Sequence, residues 1–117
     1  MAIVTSHAKR RTRKRLGIPK KSATANANRA FELGFRMTDT KSALWRYLDG
    51  VKRQCTDDAE YDIVVYHRAV YIFSNEILVT VFQLPRKYHN VADTIERRIN
   101  AKNRGYQETN KEENEND

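Results

Sequence analysis

Residues 61–84, YDIVVYHRAVYIFSNEILVTVFQL, decide the fold. The segments 61–66, 69–73 and 77–84 are rich in Val, Ile, Tyr and Phe, the side chains that suit a pleated surface. The breaks between them are too short for anything but turns. His67-Arg68 predicts one tight turn, without the Gly or Asn that a primed turn prefers. Ser74-Asn75-Glu76 predicts the next, with Asn75 able to take positive φ. The stretch therefore reads as a three-stranded antiparallel meander. Both of its faces are apolar, since Ile77, Val79 and Val81 alternate with Leu78, Thr80, Phe82 and Leu84. A sheet with one wet face would alternate more cleanly. Helices must cover one face, and something must at least partly cover the other. The candidates are a C-terminal helix over 91–104, with Val91, Ile95 and Ile99 at steps of four, a homodimer through the apolar sheet face, or a ligand.

Upstream, the hydrophobic period becomes helical. Ser6 is a candidate N-cap for a first helix that stops at Gly17, the usual left-handed residue beyond a helix end. Pro19 then starts a second helix running to Leu33, with Gly34 after it and Ala23, Ala27, Ala30 and Phe31 on one stripe. Thr38, Asp39 and Thr40 offer caps for a third helix over 41–53. There Leu44, Tyr47, Leu48 and Val51 follow the i, i+3, i+4, i+7 pattern, and Gly50 predicts fraying after Asp49. Residues 2–5 can add an edge strand. The fold class is α+β: N-terminal helices packed on the meander, a C-terminal helix, and a tail. Residues 1–105 form one domain, and 106–117, YQETNKEENEND, read as a disordered acidic tail because they hold almost nothing to bury.

Charge is distributed unevenly along the chain. Residues 1–21 carry +8 with no acid, residues 22–105 carry +3, and the tail carries −4. A basic head with an acidic tail fits contact with RNA or another polyanion, or masking of the head by the tail. The single cysteine, Cys55, excludes an internal disulfide and points to a reducing, cytoplasmic setting. The apolar run before the first charges is too short for a signal peptide, and no run suffices to span a bilayer, so no membrane partner is expected.

The densest charge is at Lys9–Arg15, six basic residues in seven positions. His7, Arg11 and Arg15, at steps of four, share one helical stripe, with Arg10 and Lys14 on neighbouring rows. A histidine titrating near neutrality can act as general acid or base, and arginine holds phosphate oxygens bidentately. His7, Arg11 and Arg15 are therefore the catalytic candidates for RNA cleavage without a metal. Lys9, Arg10, Arg13, Lys14, Lys20, Lys21 and Arg68 are the nucleic-acid-binding candidates. On spacing alone phosphate binding is favoured over catalysis, because an i, i+4, i+8 series arises easily on a solvated helix. No metal set, cofactor motif or glycine-rich phosphate loop is evident. His7, His67 and His89 are scattered, and the acidic cluster Asp57, Asp58, Glu60 and Asp62 reads as a solvated loop.

The run His7-Ala8-x-x-Arg11-x-x-x-Arg15-Leu16-Gly17-Ile18, followed by an alanine-rich helix and then antiparallel strands, resembles small prokaryotic proteins of the RelE-like ribonuclease superfamily. The closest branches are the BrnT-type toxins and phage and mobile-element proteins related to them. Val70-Tyr71-Ile72-Phe73, Leu78-Val79-Thr80-Val81 and Leu84-Pro85 are similar to the phage group. The resemblance covers about residues 5–90. It implies helices ahead of a curved antiparallel sheet, RNA contacted over the sheet and the basic helix, and an antitoxin or host ribonucleoprotein as partner. Active members set several Arg, Lys, Tyr or His side chains on the concave face. Here the strands offer only Tyr61, Tyr66, Tyr71 and Thr80, with His67 and Arg68 at a turn. The phage-like branch also implies an alternative: an antidefence protein that docks on a host nucleoprotein complex without catalysis.

Overall fold

A computed structural model of the chain describes residues 2–55 and 60–116, with side-chain surroundings described as far as Lys102. The order of elements is β1 (Ile3–Val4), α1 (Ser6–Leu16), α2 (Lys20–Leu33), β2 (Phe35–Arg36), α3 (Ser42–Arg53), β3 (Asp62–Tyr66), β4 (Ala69–Ser74), β5 (Ile77–Gln83) and α4 (His89–Asn116). Short 3₁₀ turns precede α3 and α4.

The fold class is α+β, but the sheet is larger than the meander. β3, β4 and β5 pair antiparallel through short turns. β2 then adds to β3, and β1 adds parallel to β5, giving five strands in the order β1-β5-β4-β3-β2. β1, at Ile3 and Val4, is the edge strand expected within residues 2–5, whereas the two-residue β2 is fixed by pairing rather than by its own propensity. The His67-Arg68 turn is primed in spite of its composition, with φ of 47° and 63°. Arg68 and His67 are both held to α4, by Asp93 and Glu96 respectively, and those contacts offset the strain of two non-glycine residues at positive φ. Asn75 takes φ of 55°, as its turn requires.

Each face of the sheet has its own core. On one, Ala8, Ala27 and Ala30 of α1 and α2 meet Val64, Tyr71, Phe73, Leu78 and Val81. Small residues let both helices approach closely, and Phe31 adds an edge-on contact to Phe73 at 5.0 Å between ring centres. On the other, Leu44 and Leu48 of α3 and Ala92 of α4 meet Phe35, Ile63, Val65, Val70, Ile72 and Leu84. Most of the second apolar face is thus covered within the chain, by α3 together with α4. A homodimer is not needed to cover it.

Several local expectations change. Thr5, not Ser6, caps α1: its hydroxyl accepts from the Ala8 N–H at 3.1 Å. Gly17 closes α1 with φ of 72°. Asp39 and Thr40 close a 3₁₀ turn instead of capping α3. α3 runs through Gly50 to Arg53, because burial of its apolar stripe outweighs a glycine cost of about 1 kcal/mol. α4 does not stop at Gly105, and the tail expected to be disordered continues the helix to Asn116. Gln, Glu and Lys beyond Gly105 are good helix formers and no proline follows. No break in secondary structure marks the expected boundary between 105 and 106.

β5 departs furthest from the sequence reading. Phe73 pairs with Leu78, yet Ile72 pairs with Thr80, so Val79 is an extra residue with no partner on β4. This bulge resets the alternation. Leu78 and Val81 enter the core under α1 and α2, whereas Thr80 and Phe82 lie on the opposite face beside Ile72.

Candidate nucleic-acid interface

α1 is amphipathic in an unusual sense, since its inward residues are small. Ala8 and Thr12 are buried, and the Thr12 hydroxyl donates to the Ala8 carbonyl at 2.8 Å, which satisfies it without a partner outside the helix. With so little side chain beneath it, α1 lies close along β5. His7, Arg10, Arg11, Lys14 and Arg15 together line a surface groove of about 430 Å³. The structure thus brings together the three catalytic candidates and two of the binding candidates. Lys9 and Arg13 lie off this groove, and Lys20 and Lys21 are exposed on the first turn of α2.

Arg11 and Arg15 do more than line the groove. The Nη1 groups of both donate to the Thr80 hydroxyl, at 2.9 and 3.1 Å. Arg15 Nη1 also donates to the Val81 carbonyl at 3.1 Å, and Gln83 Nε2 donates to the Arg15 carbonyl at 3.1 Å. β1 pairs with β5 only at Ile77 and Leu78, so the rest of that edge would present open backbone groups. α1 and its arginines close it instead. Two guanidinium groups thereby converge on one neutral oxygen. Among the described residues, no carboxylate forms an ion pair with any cation of α1. A cluster of like charge without counter-ions raises the local positive potential and attracts anions.

His7 is exposed and, among the described residues, makes no hydrogen bond that would orient its ring. Arg15 lies eight residues further on, about 12 Å along the helix axis. His7 and Arg11 are one turn apart, and Arg15 reaches back towards Arg11 through the Thr80 hydroxyl that both share. The three catalytic candidates share a stripe and line one groove.

Arg68 is elsewhere and already engaged. Its guanidinium grips Asp93 through Nε and Nη2, the shortest contact being 2.6 Å. This contact holds the Asp93 carboxyl below its usual range and raises Arg68 further. The site is a brace for the strained turn, separate from the α1 groove.

Two features escaped the sequence. The larger is a groove of about 640 Å³ between α3 and the sheet. Its floor is Ile72, Thr80 and Phe82, and its wall includes Arg46, Tyr47, Gly50, Val51 and Cys55. Burial, with Tyr88 alongside, raises the pKa of Tyr47. Thr80 belongs to this groove and to the arginine cluster at once, so the two sites adjoin. The sequence signal is weak: Arg46 and Gly50 are four apart on α3, with no side chain at the second, and Gln54 follows four further on, just past the helix end. The second feature is a cavity of about 270 Å³ at the C-terminal end of α1, where His67 and His89 meet Asn26, Tyr71 and Gln83. Asn26 Nδ2 donates to the Tyr71 hydroxyl at 2.8 Å, and burial raises the pKa of that tyrosine. His89 Nε2 lies 2.7 Å from the Leu84 carbonyl, which requires a proton on that nitrogen. Histidines that look scattered in sequence thus share a cavity. His67 stacks on Tyr66 and contacts Glu96, and Arg68 at the same place is paired, so the cavity holds no unbalanced charge comparable to α1.

Asp57 and Asp58 of the acidic cluster lie outside the described residues. Among the described residues, no group of three or more His, Cys, Asp or Glu is placed to hold a metal ion, and no helix is long and apolar enough to cross a membrane. Comparison with family models, with curated proteins and with solved structures returned no match.

Proposed function

We propose that this protein binds RNA along the cationic face of α1, as a RelE-like protein of phage or mobile-element type in which binding rather than cleavage is the primary activity. One observation carries the reading: His7, Arg10, Arg11, Lys14 and Arg15 line one groove with no carboxylate paired to its cations among the described residues. The order of elements adds to it, with a basic helix ahead of the antiparallel strands and seated along β5. Binding is favoured over cleavage because, among the described residues, His7 makes no hydrogen bond that would orient its ring.

The test is a fluorescence binding isotherm with RNA in EDTA across a salt series, with intact RNA followed on a gel in parallel. Affinity should fall steeply with salt, by a slope of about −0.7 per phosphate contacted for a single strand. Charge reversal of Arg10, Arg11 and Lys14 to Glu should abolish binding. Affinity indifferent to salt and to that triple change would exclude the interface. Cleavage that is lost in His7→Ala while binding persists would replace this reading with the ribonuclease one.

A second reading draws on a different observation. Ile3 and Ile77, paired across the β1–β5 edge, are 56% and 42% exposed, and Val79 beside them is 37% exposed. An apolar edge next to a cationic helix also suits docking on a nucleoprotein complex without catalysis. In that case Ile77→Glu would leave binding to naked RNA intact and abolish binding to a ribonucleoprotein.

A further inference from the structure

We infer that the groove between α3 and β5 takes an unpaired base of a single-stranded nucleic acid, with flanking phosphates on Arg11 and Arg15 at one rim and Arg46 at the other. The inference rests on the proposed binding of RNA by α1 and names the form of nucleic acid that this site selects.

The groove's volume, about 640 Å³, falls within the range of about 300–1,000 Å³ usual for small-ligand sites. Its floor is apolar at Ile72 and Phe82, and Tyr47 stands on the wall, so rings are available for stacking from two elements. Cations flank this apolar space. Arg46 is exposed on α3, and Arg11 and Arg15 reach the opposite side by donating to Thr80, itself part of the floor. An apolar ring with an anion on either side is the chemistry of one nucleotide within a strand. A lipid chain or an apolar peptide would leave those guanidinium groups unmatched. A duplex keeps its bases stacked and paired, and could engage α1 but not the groove.

Two details of the chain keep the space open. The extra residue Val79 places Thr80 on this face, where a regular strand would place it on the other. Gly50 stands on the wall, and a Cβ there would meet no atom within 4 Å.

Cys55 lines the groove and is the chain's single cysteine, so its rate of alkylation reports whether the groove is filled. The probes are a short mixed-sequence RNA, as a single strand and as the blunt duplex with its complement. The single strand should slow alkylation by roughly tenfold and the duplex should not, a factor at the low-to-middle range of what one stacked base contributes. Gly50→Leu fills the groove and improves a helix position. It should fold with unchanged or higher melting temperature, weaken single-strand binding by roughly tenfold and leave duplex binding alone.

Salt-dependent binding of both probes without protection of Cys55 would overturn this inference and leave the α1 interface standing. Failure of both probes to bind at any salt would overturn the two together. Protection that grows with protein concentration in the absence of RNA would assign the groove to a second copy of the chain, and would also overturn it.

Discussion

Ile72 and Thr80 face each other across β4 and β5, one residue out of the register that Phe73 and Leu78 keep. That offset determines which side of the sheet the second half of β5 serves. Without it Thr80 would point under α1 and α2, among Tyr71 and Phe73, and its hydroxyl would need a buried partner there. With it Thr80 lies at the border of two surfaces and receives both arginines that come round the edge of the strand. The same arrangement protects the sheet from pairing with another chain at its open edge, since Arg15 occupies the Val81 carbonyl. One bulge therefore serves stability and the site together.

Thr80→Val tests how much of that arrangement is structural. The substitution keeps the shape and removes the acceptor shared by Arg11 and Arg15. Both arginines can turn to water, and Arg15 retains the Val81 carbonyl, so urea unfolding should show a loss of only about 0.5–1.5 kcal/mol. RNA affinity should change by a few-fold at most, because the charges remain. A loss above about 3 kcal/mol would show that Thr80 organises the strand itself and not only the arginines.

Gly34→Ala should be far more costly. A Cβ at Gly34 would stand 2.6 Å from the Ala30 carbonyl oxygen and 2.9 Å from that of Val65, and backbone atoms cannot move aside as a flexible side chain can. The link between α2 and β2 depends on that close approach. Equilibrium unfolding should show destabilisation of about 1–3 kcal/mol or more. Wild-type stability in this variant would contradict the packing of α2 against β3.

These examples show which parts of the molecule the sequence makes legible. The meander is readable because Val, Ile, Tyr and Phe dominate 61–84 and Asn75 marks a turn. The cationic groove is readable because His7, Arg11 and Arg15 are related by helix geometry alone, which is local. β2 is not readable, because Phe35 and Arg36 form a strand only by pairing with Val65 and Val64. Nor is the bulge. With apolar residues on both faces of β5, alternation fits either register, and the choice is made by what α1 and α3 place on each side. The groove beside α3 inherits that ambiguity. The ion pair of Arg68, a binding candidate from its charge alone, is not legible either, because its partner, Asp93, comes from a helix 25 positions away.

That ion pair predicts a pH dependence. Asp93 has its pKa held below the ordinary 3.8, first by its hydrogen bond to Arg68. A carboxyl depressed in the folded state stabilises the fold above its unfolded pKa, and the benefit is lost as pH falls through the folded value. Arg68→Gln should therefore be slightly less stable than wild type at pH 7. The gap should close below pH 3.8 as Asp93 protonates. It should be small, because both side chains are partly exposed. Thermal melts of the two proteins at matched ionic strength check this; a gap that widens towards acid would contradict the assignment.

The last prediction concerns the C-terminal end of α4. The helix continues past Gly105 to Asn116, over a stretch whose only large apolar-bodied residue is Tyr106 and which, with Asp117, carries −4. Such a stretch has little to bury, so its helix depends on propensity and on continuity with the anchored part of α4 at Ala92, Ile95 and Ile99. Deleting 106–117 should lower the helical far-UV signal and leave the melting temperature within about 2 °C, because the deleted sequence is almost entirely polar. The deletion also raises the net charge above its present +7. RNA binding through α1 should then tighten by a few-fold at low salt, and the gain should vanish at about 0.5 M salt, where the screening length falls to a few ångströms. An unchanged helical signal would mean that 106–116 are not helical in solution. An unchanged affinity at low salt would mean that the acidic end lies too far from α1 to oppose it.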